Sequence, residues 1–547
     1  MCGIFSYFGT QFDFDVLKKN FDKIQKRGPD NSVIQLINDK YFFGFHRLSI
    51  NDISEKGNQP IYHPNNRNLV LICNGEIYNS QKLIDTHDFI TYSNSDCEVI
   101  LHMYQKFGIL DTVKSLDGVF AFVLYDGDKN RVYSARDPFG VRPLFIGKTI
   151  KTNNINMDDD DTTDDLRNLE MFFSSEIKSI ADLSETIETF QPGTYWDSNT
   201  LQYVRYYEYK YDIINKPFNN MNTIYQNVRR LLTEAVDKRL MSDRPIGCLL
   251  SGGLDSSLIA ALVARNYEPG TLETFSIGLK GSTDLYYAKK VADHIKTKHH
   301  HIELEESDFL NAINDVIYAI ESYDTTTVRA SVGNYLVSKY IKENTDCTVI
   351  YNGDGSDEVC GSYLYLKNAP NPQSFHQECE KLLKEIHCFD VLRSDRCVSE
   401  NGLEPRTPFL DKAFVNYYMS IEPELRMSDT RMEKYILRQS FNNLDLLPND
   451  VLWRQKEAFS DGVSGKDKSW FEVIQDMVES RISDQQFQSF KDSHSFNTPL
   501  LKESMFYRLI FEKHFGDKHS NVIPHFWMPQ WCGEQIDPSA RVLSVYN

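Results

Sequence analysis

A chain of 547 residues, 41% hydrophobic and 25% charged, has ordinary globular composition and is too long for one hydrophobic core, so two domains are expected. With 59 basic against 78 acidic residues the net charge is -19, which excludes nucleic acid and anionic membranes as main partners, and no stretch approaches the roughly 20 apolar residues of a membrane span. Ten cysteines without a CxxC pair suggest neither a zinc site nor a disulfide framework; with no basic start leading into an apolar run, they read as reduced thiols of a cytoplasmic protein.

Up to about residue 205 strands dominate: YFFGFHRLSI, NLVLICNGEIY and VFAFVLYDGDKNRVYSARD, the last a hairpin of two alternating runs about a Gly-containing turn. Helical spacing interrupts them in DFDVLKKNFDKIQKRG and in SDCEVILHMYQKFG, where Ser95 or Asp96 is placed to cap the first turn. The acidic stretch 151–168 has almost no apolar anchors and reads as a solvated excursion. Beyond it, Ile224, Val228, Leu231, Leu232, Ala235 and Val236 recur at helical spacing. Then IGCLL, ETFSIGL, HHHIEL and CTVIYNGDGSDE read as strands separated by helices such as SLIAALVAR and DLYYAKKVADHIK, and the remainder is mainly helical. That alternation predicts an α/β domain with a doubly wound parallel sheet. The expected domains are 1–205 and 206–547.

LLSGGLDSS, residues 249–257, lies at a strand-to-helix junction. Gly252 and Gly253 let the backbone approach a ligand, and the N–H groups of the helix start suit phosphate. No Gly-Lys-[Ser/Thr] follows, so this is not a Walker loop. It is similar to the pyrophosphate-binding loop of enzymes that cleave ATP between the α- and β-phosphates. Departing pyrophosphate needs a cation, and Mg2+ takes carboxylate and phosphate oxygens. Asp255 is one candidate metal ligand, and Asp357 is the other, from NGDGSDE at the C-terminal end of a predicted strand. The run His299, His300 and His301 makes a poor metal cage, because neighbours on a strand point to opposite faces.

At the other end of the sequence, removal of Met1 would leave Cys2 with both a thiol and a free α-amine. An amine of ordinary pKa, about 7.7 to 8.0, can take the proton of its own residue's thiol at neutral pH. That is the logic of the N-terminal-nucleophile hydrolases. CGIF followed by RGPD, HRLSI, NGEIYN and SDCE resembles the glutaminase domain of class II amidotransferases. The resemblance implies an αββα sandwich in which Arg47, Asn74, Gly75, Glu76 and Asp96 surround glutamine. The residue types suit the task. Arg47 can fork to a carboxylate, Glu76 and Asp96 suit an ammonium, and Asn74 with the Gly75 N–H can hold an oxyanion as Cys2 attacks the amide.

The two halves together, with ESYDTTTVRAS, GLEPRTPFLD, KYILR and WRQKEAFSDGV, resemble the glutamine-hydrolysing asparagine synthetases over nearly the whole chain. The resemblance implies that ATP adenylates the side-chain carboxylate of aspartate and that ammonia freed at Cys2 travels inside the protein to displace AMP. The products are asparagine, glutamate, AMP and pyrophosphate, and a homodimer is expected. It places Leu250, Ile277 and Gly353 at adenosine; Ser251, Gly252, Gly253, Asp255 and Ser256 in the ATP loop; Thr326, Thr327 and Arg329 on aspartate; and Lys456 at the separating phosphates. The family's usual glutamate, thought to assist attack by ammonia, is the shorter Asp354 here, preceded by Asn352 in place of serine. Cys360 and Ser362 likewise stand for a phenylalanine and a glycine. Two other readings stay open on sequence: a synthetase of the same architecture acting on another carboxylate, and a non-catalytic scaffold.

Overall fold

The computed structural model describes residues 1–9, 13–38, 41–150, 169–213, 220–427, 431–456, 464 and 468–539; the acidic stretch 151–168 and residues 457–463 of WRQKEAFSDGV lie outside them. The chain forms two compact units, Met1–Glu208 with Phe511–Val522, and Tyr209–Ile510 with the segment from Ile523 onward. The first unit thus takes in a segment that a linear division at 205 leaves to the second.

Two six-stranded antiparallel sheets build the first unit. One runs Thr186–Thr189, Phe145–Ile150, Leu169–Ser174, Gly3–Phe8, Tyr41–Arg47, Asn31–Ile37; the other runs Gln202–Arg205, Thr194–Asp197, Arg131–Arg136, Gly118–Asp126, Asn66–Ile77, Ile61–His63. Alternation along the strands sets Ile4, Phe8, Phe43 and Phe45 of the first against Val70, Ile72, Val123 and Tyr125 of the second. The opposite face of the second sheet, with Leu71, Cys73, Phe120 and Phe122, meets Leu83, Ile100, Leu101 and Met103 from the helices Ser80–His87 and Val99–Ser115. Over the first sheet, the helix Phe14–Phe21 sets Phe21 5.9 Å from Phe5 and against Gly44, where an added Cβ would lie 2.8 Å from its ring. The layers are therefore αββα. The returning turn Asp517–Val522 borders the edge strand Thr186–Thr189, with Lys518 Nζ donating to Ser184 O at 2.9 Å and His519 Nε2 to Ala181 O at 3.0 Å.

His46 is fully buried in this unit, stacked on Phe21 at 3.7 Å, with Nε2 donating to Phe21 O at 3.1 Å. Burial lowers its pKa from 6.5 to about 4, so the folded form is neutral. Between those values the unfolded chain binds the extra proton. Stability is therefore full above pH 6.5 and falls as the pH drops toward 4, by on the order of 3 kcal/mol at most. Urea titrations from pH 7.5 to 4.5 should show this loss, and His46→Gln should flatten it.

In the second unit the sheet is wholly parallel, in the order Lys298–Leu304, Glu273–Leu279, Ile246–Leu249, Val349–Tyr351, Glu404–Arg406. Chain order reverses between Ile246–Leu249 and Val349–Tyr351, and a crevice opens outside their C-terminal ends, as doubly wound sheets require. Glu404–Arg406 is additional to the expected strands; three residues centred on a proline carry no periodic signal, and the proline is tolerated because the strand is an edge. The histidines divide as the pleat demands. His299 bonds the hydroxyls of Thr274 and Ser276 at 3.0 Å each, His300 bonds Glu273 at 2.6 Å, and His301 is exposed.

Candidate active sites

Cys2 stands at the head of the strand Gly3–Phe8, the middle of the first sheet. Its N–H donates to Asn74 Oδ1 at 3.1 Å and its thiol to Leu48 O at 3.7 Å, while Arg27, from RGPD, donates through Nε to Cys2 O at 2.9 Å. Arg27 is in turn held by a buried ion pair with Glu176 at 2.6 Å. Asn74 holds the nucleophile's backbone with its oxygen, while its Nδ2 is buried and has no acceptor among the described residues. A donor kept dry and unspent beside a nucleophile is what an oxyanion needs. Gly75 follows on the same strand, where a Cβ would lie 2.5 Å from Val119 O, so the close neighbouring strand admits no side chain.

Glu76 and Asp96 come together through Asn51, whose Nδ2 donates to Glu76 Oε2 and, at 3.4 Å, to Asp96 Oδ1. Asn51 was not singled out by the sequence, although it directly follows HRLSI. Neither Ser95 nor Asp96 caps its helix: a 3-10 turn, Asp96–Glu98, precedes Val99–Ser115, and Asp96 instead accepts the Ile77 N–H at 2.6 Å. Tertiary contact with the glutamine-site strand takes the carboxylate that local pattern assigns to the helix start. Arg47 donates through Nη1 to Ser54 O and Asn58 Oδ1, at 2.8 Å each, and through Nη2 to Asp52 O, so the loop 52–58 fixes its guanidinium.

The second unit has a cavity of about 300 Å3 at the switch point. Leu250, Ser251, Gly253, Asp255 and Ser256 line it from one strand end, Gly353, Asp354 and Asp357 from the other, with Ile277, Thr326, Thr327 and Lys456. Gly252 lies behind this wall at φ +75°, its carbonyl accepting from Arg454 Nη1 at 3.1 Å. The two loops touch backbone to backbone, since a Cβ on Gly353 would lie 2.8 Å from Ser256 N.

Lys434 joins the two expected metal ligands, donating to Asp255 Oδ2 at 2.5 Å and Asp357 Oδ1 at 2.6 Å, and Lys456 Nζ donates to Asp357 Oδ2. Burial pushes the Asp357 carboxyl up, but the attraction of Lys434 and Lys456 outweighs it and holds the pKa well below the usual range. Two carboxylates from separate loops, aimed at one cation beside a phosphate-type loop, form a donor set that suits Mg2+. Lys434 is the lysine of KYILR, where nothing in the local sequence marks it as a partner of these carboxylates. Asp354 faces Arg393 Nη2 at 3.2 Å, and Arg393 also pairs with Asp390. Burial, opposed by Arg393 and reinforced by Asp390, pushes the Asp354 pKa up to about 6. Asn352, the other departure, donates to Ser394 Oγ at 2.6 Å and accepts the Asp354 N–H at 3.4 Å.

The three residues expected on aspartate are placed differently from one another. Thr326 lines the cavity with a buried Oγ1 that has no partner among the described residues. Thr327 also lines it, but its hydroxyl donates to Asp324 Oδ2 at 2.7 Å. Arg329 differs from the expectation: it is not among the residues that line the cavity and gives its forked edges to Glu503 and Asp537.

A family profile described as "Asparagine synthase" matches residues 227–374 and 367–535, and one described as "Glutamine amidotransferase domain" matches residues 1–236. The "Asparagine synthetase [glutamine-hydrolyzing]" of Gallus gallus is 42% identical over 576 residues, covering 100% of this chain and 99% of the relative. The protein so named from Homo sapiens is 40% identical with the same coverage. Two units, one with a cysteine nucleophile beside an unspent amide donor and one with a phosphate-type loop facing paired carboxylates, match what those two profiles describe. The chain belongs to the glutamine-hydrolysing asparagine synthetases.

Proposed function

We propose that this chain makes asparagine from aspartate, ATP and the amide nitrogen of glutamine, by way of an aspartyl adenylate. The observation that carries the reading is the convergence of SGGLDSS, NGDGSDE, Thr326 and Lys456 on one cavity, in a chain whose other unit holds Cys2 against Asn74. With Met1 removed, the α-amine of Cys2 takes the thiol proton as the thiolate attacks the glutamine amide, and Asn74 Nδ2 with the Gly75 N–H holds the oxyanion. Arg47 takes the glutamine carboxylate. Glu76 and Asp96, which share the Asn51 amide here, take its ammonium, a stronger donor.

In the second unit Leu250, Ile277 and Gly353 hold adenosine, and the loop Ser251–Ser256 holds the phosphates. Asp255 and Asp357 would hold Mg2+, which when bound supplies positive charge to the phosphate oxygens. Lys456 adds its own charge on the same side, and Thr326 and Thr327 face the aspartate. Family likeness further suggests a cytoplasmic homodimer, which sedimentation would test; among the described residues no helix is long and apolar enough to cross a membrane. With glutamine, aspartate and ATP, the enzyme should form AMP, pyrophosphate and asparagine in equal amounts. ADP in place of AMP would overturn the adenylation.

Asp354 is proposed to take a proton from the attacking ammonia. Its side chain is one methylene shorter than the family's usual glutamate, and misplacing a catalytic group by about 1 Å can cost on the order of a hundredfold. Asp354→Ala should slow the ammonia step and let the adenylate hydrolyse, so pyrophosphate exceeds asparagine. Asp354→Glu should leave adenylate formation unreduced. Equal amounts of both products at the wild-type rate in the alanine variant would remove Asp354 from ammonia transfer.

A further inference from the structure

Ile523–Ser539 contains neither helix nor strand, yet Trp527, Pro529 and Pro538 form part of the wall of the synthetase cavity. A segment without ladder hydrogen bonds gains conformational entropy by leaving, so specific bonds must hold it. The Trp527 N–H donates to Asp324 Oδ1 at 2.7 Å. Asp324 is the N-cap of the helix Thr325–Asn344, and its Oδ2 accepts from the Thr327 N–H at 2.8 Å. One fully buried carboxylate therefore ties the strap to the turn that bears Thr326 and Thr327. Beyond the exposed residues 533–536 the strap dives inward again. There Asp537 accepts from Arg329 Nη1 at 2.9 Å, Arg329 Nη2 at 3.0 Å and Gln475 Nε2 at 2.7 Å.

Arg329 also donates through Nε and Nη2 to Glu503 at 2.8 and 2.6 Å. A guanidinium matches carboxylates along its forked edges, and both edges used here are filled by the chain's own acids. We infer that Arg329 is a positioning residue, which latches the strap 523–539 through Asp537 and so completes the carboxylate-substrate side of the cavity with Trp527, Pro529 and Pro538. The inference rests on the reading that this cavity takes aspartate and ATP. Glu503 alone balances the charge of Arg329. The second carboxylate arrives on the strap, so removing it leaves a neutral buried pair and not an orphaned charge.

Asp537→Ala is thus the informative variant. The KM for aspartate should rise about tenfold while kcat changes less than about threefold, the split expected when binding is lost and chemistry is not. Pyrophosphate should exceed asparagine as water gains access. Limited proteolysis should cut the strap faster than in wild type, and glutamine hydrolysis should stay unchanged as a control on folding. Trp527→Ala should raise the same KM without faster cutting, and Asp537→Glu should restore part of the affinity. Faster cutting with an unchanged KM would show that the strap is no wall of the site. An uncut strap in Asp537→Ala would show that there is no latch. Loss of synthesis that no aspartate concentration restores would assign Asp537 a general structural role and overturn the inference too. Wild-type enzyme that makes no asparagine would instead defeat the functional reading, before any variant is tested.

Discussion

Replacing Cys2 with alanine is expected to cut glutamine-dependent asparagine synthesis at least about a thousandfold while ammonium still supports it within about threefold of wild type. The thiol is the nucleophile proposed for the amide, and alanine leaves an oxyanion site with nothing to stabilise. Every contact described for Cys2, to Leu48, Asn74 and Arg27, lies in the first unit. The residues around the synthetase cavity belong to the second. Fold damage should be slight, since Cys2 is only partly buried and alanine keeps its backbone bonds to Asn74 and Arg27. Asparagine measured with glutamine and with ammonium, at fixed ATP and aspartate, checks this. Loss of both activities would defeat the assignment of separate sites.

Asp357→Asn should stop AMP and pyrophosphate formation from the other side, by on the order of a thousandfold, and leave glutamine hydrolysis intact. The change keeps the shape of the side chain and removes one negative charge. That charge holds both Lys434 and Lys456 and is one of the two carboxylates proposed for Mg2+. After substitution Lys434 keeps Asp255 while Lys456 loses its carboxylate partner, so the site becomes too positive to order its lysines and too poor in hard oxygen for the cation. Quenched-flow measurement of AMP with aspartate and ATP, beside glutamate released from glutamine, separates the two effects. AMP formation within about threefold of wild type would take Asp357 out of the phosphate chemistry.

Much of this was legible in sequence where chemistry and local pattern coincide. The first 205 residues read as strands because β-branched and aromatic residues recur between turn signals, but central strands such as Gly3–Phe8 and Gly118–Asp126 are buried on both faces, so their arrangement as two stacked sheets is carried by the family resemblance and not by alternation. SGGLDSS and NGDGSDE are legible because phosphate-type loops sit at strand ends, and the two strands involved are the pair at which chain order reverses. What pattern cannot encode is which distant side chain answers a given charge. Lys434 meets Asp255 across 179 positions and Arg329 meets Asp537 across 208, and no periodicity marks either pair. Arg329 shows the opposite hazard: a motif gives the residue type a role, while the partners that set its orientation lie far along the chain. Ser95 or Asp96 reads as a helix cap for a related reason, since a carboxylate at a helix start and one bonded to a neighbouring strand look alike in a single sequence.

The returning turn Asp517–Val522 has a consequence for how the protein is made. On the ribosome, the first 208 residues emerge about 300 residues ahead of the segment that borders the strand Thr186–Thr189, an interval of roughly 15 to 60 s at ordinary rates of translation. Through that interval the nascent sandwich presents an edge strand with open N–H and C=O groups, the kind of surface on which neighbouring polypeptides on a polysome can pair. Only after the later segment has emerged can Lys518 and His519 reach Ser184 and Ala181. The sandwich is thus completed only after most of the synthetase unit, which lies between its two segments in sequence, has been made.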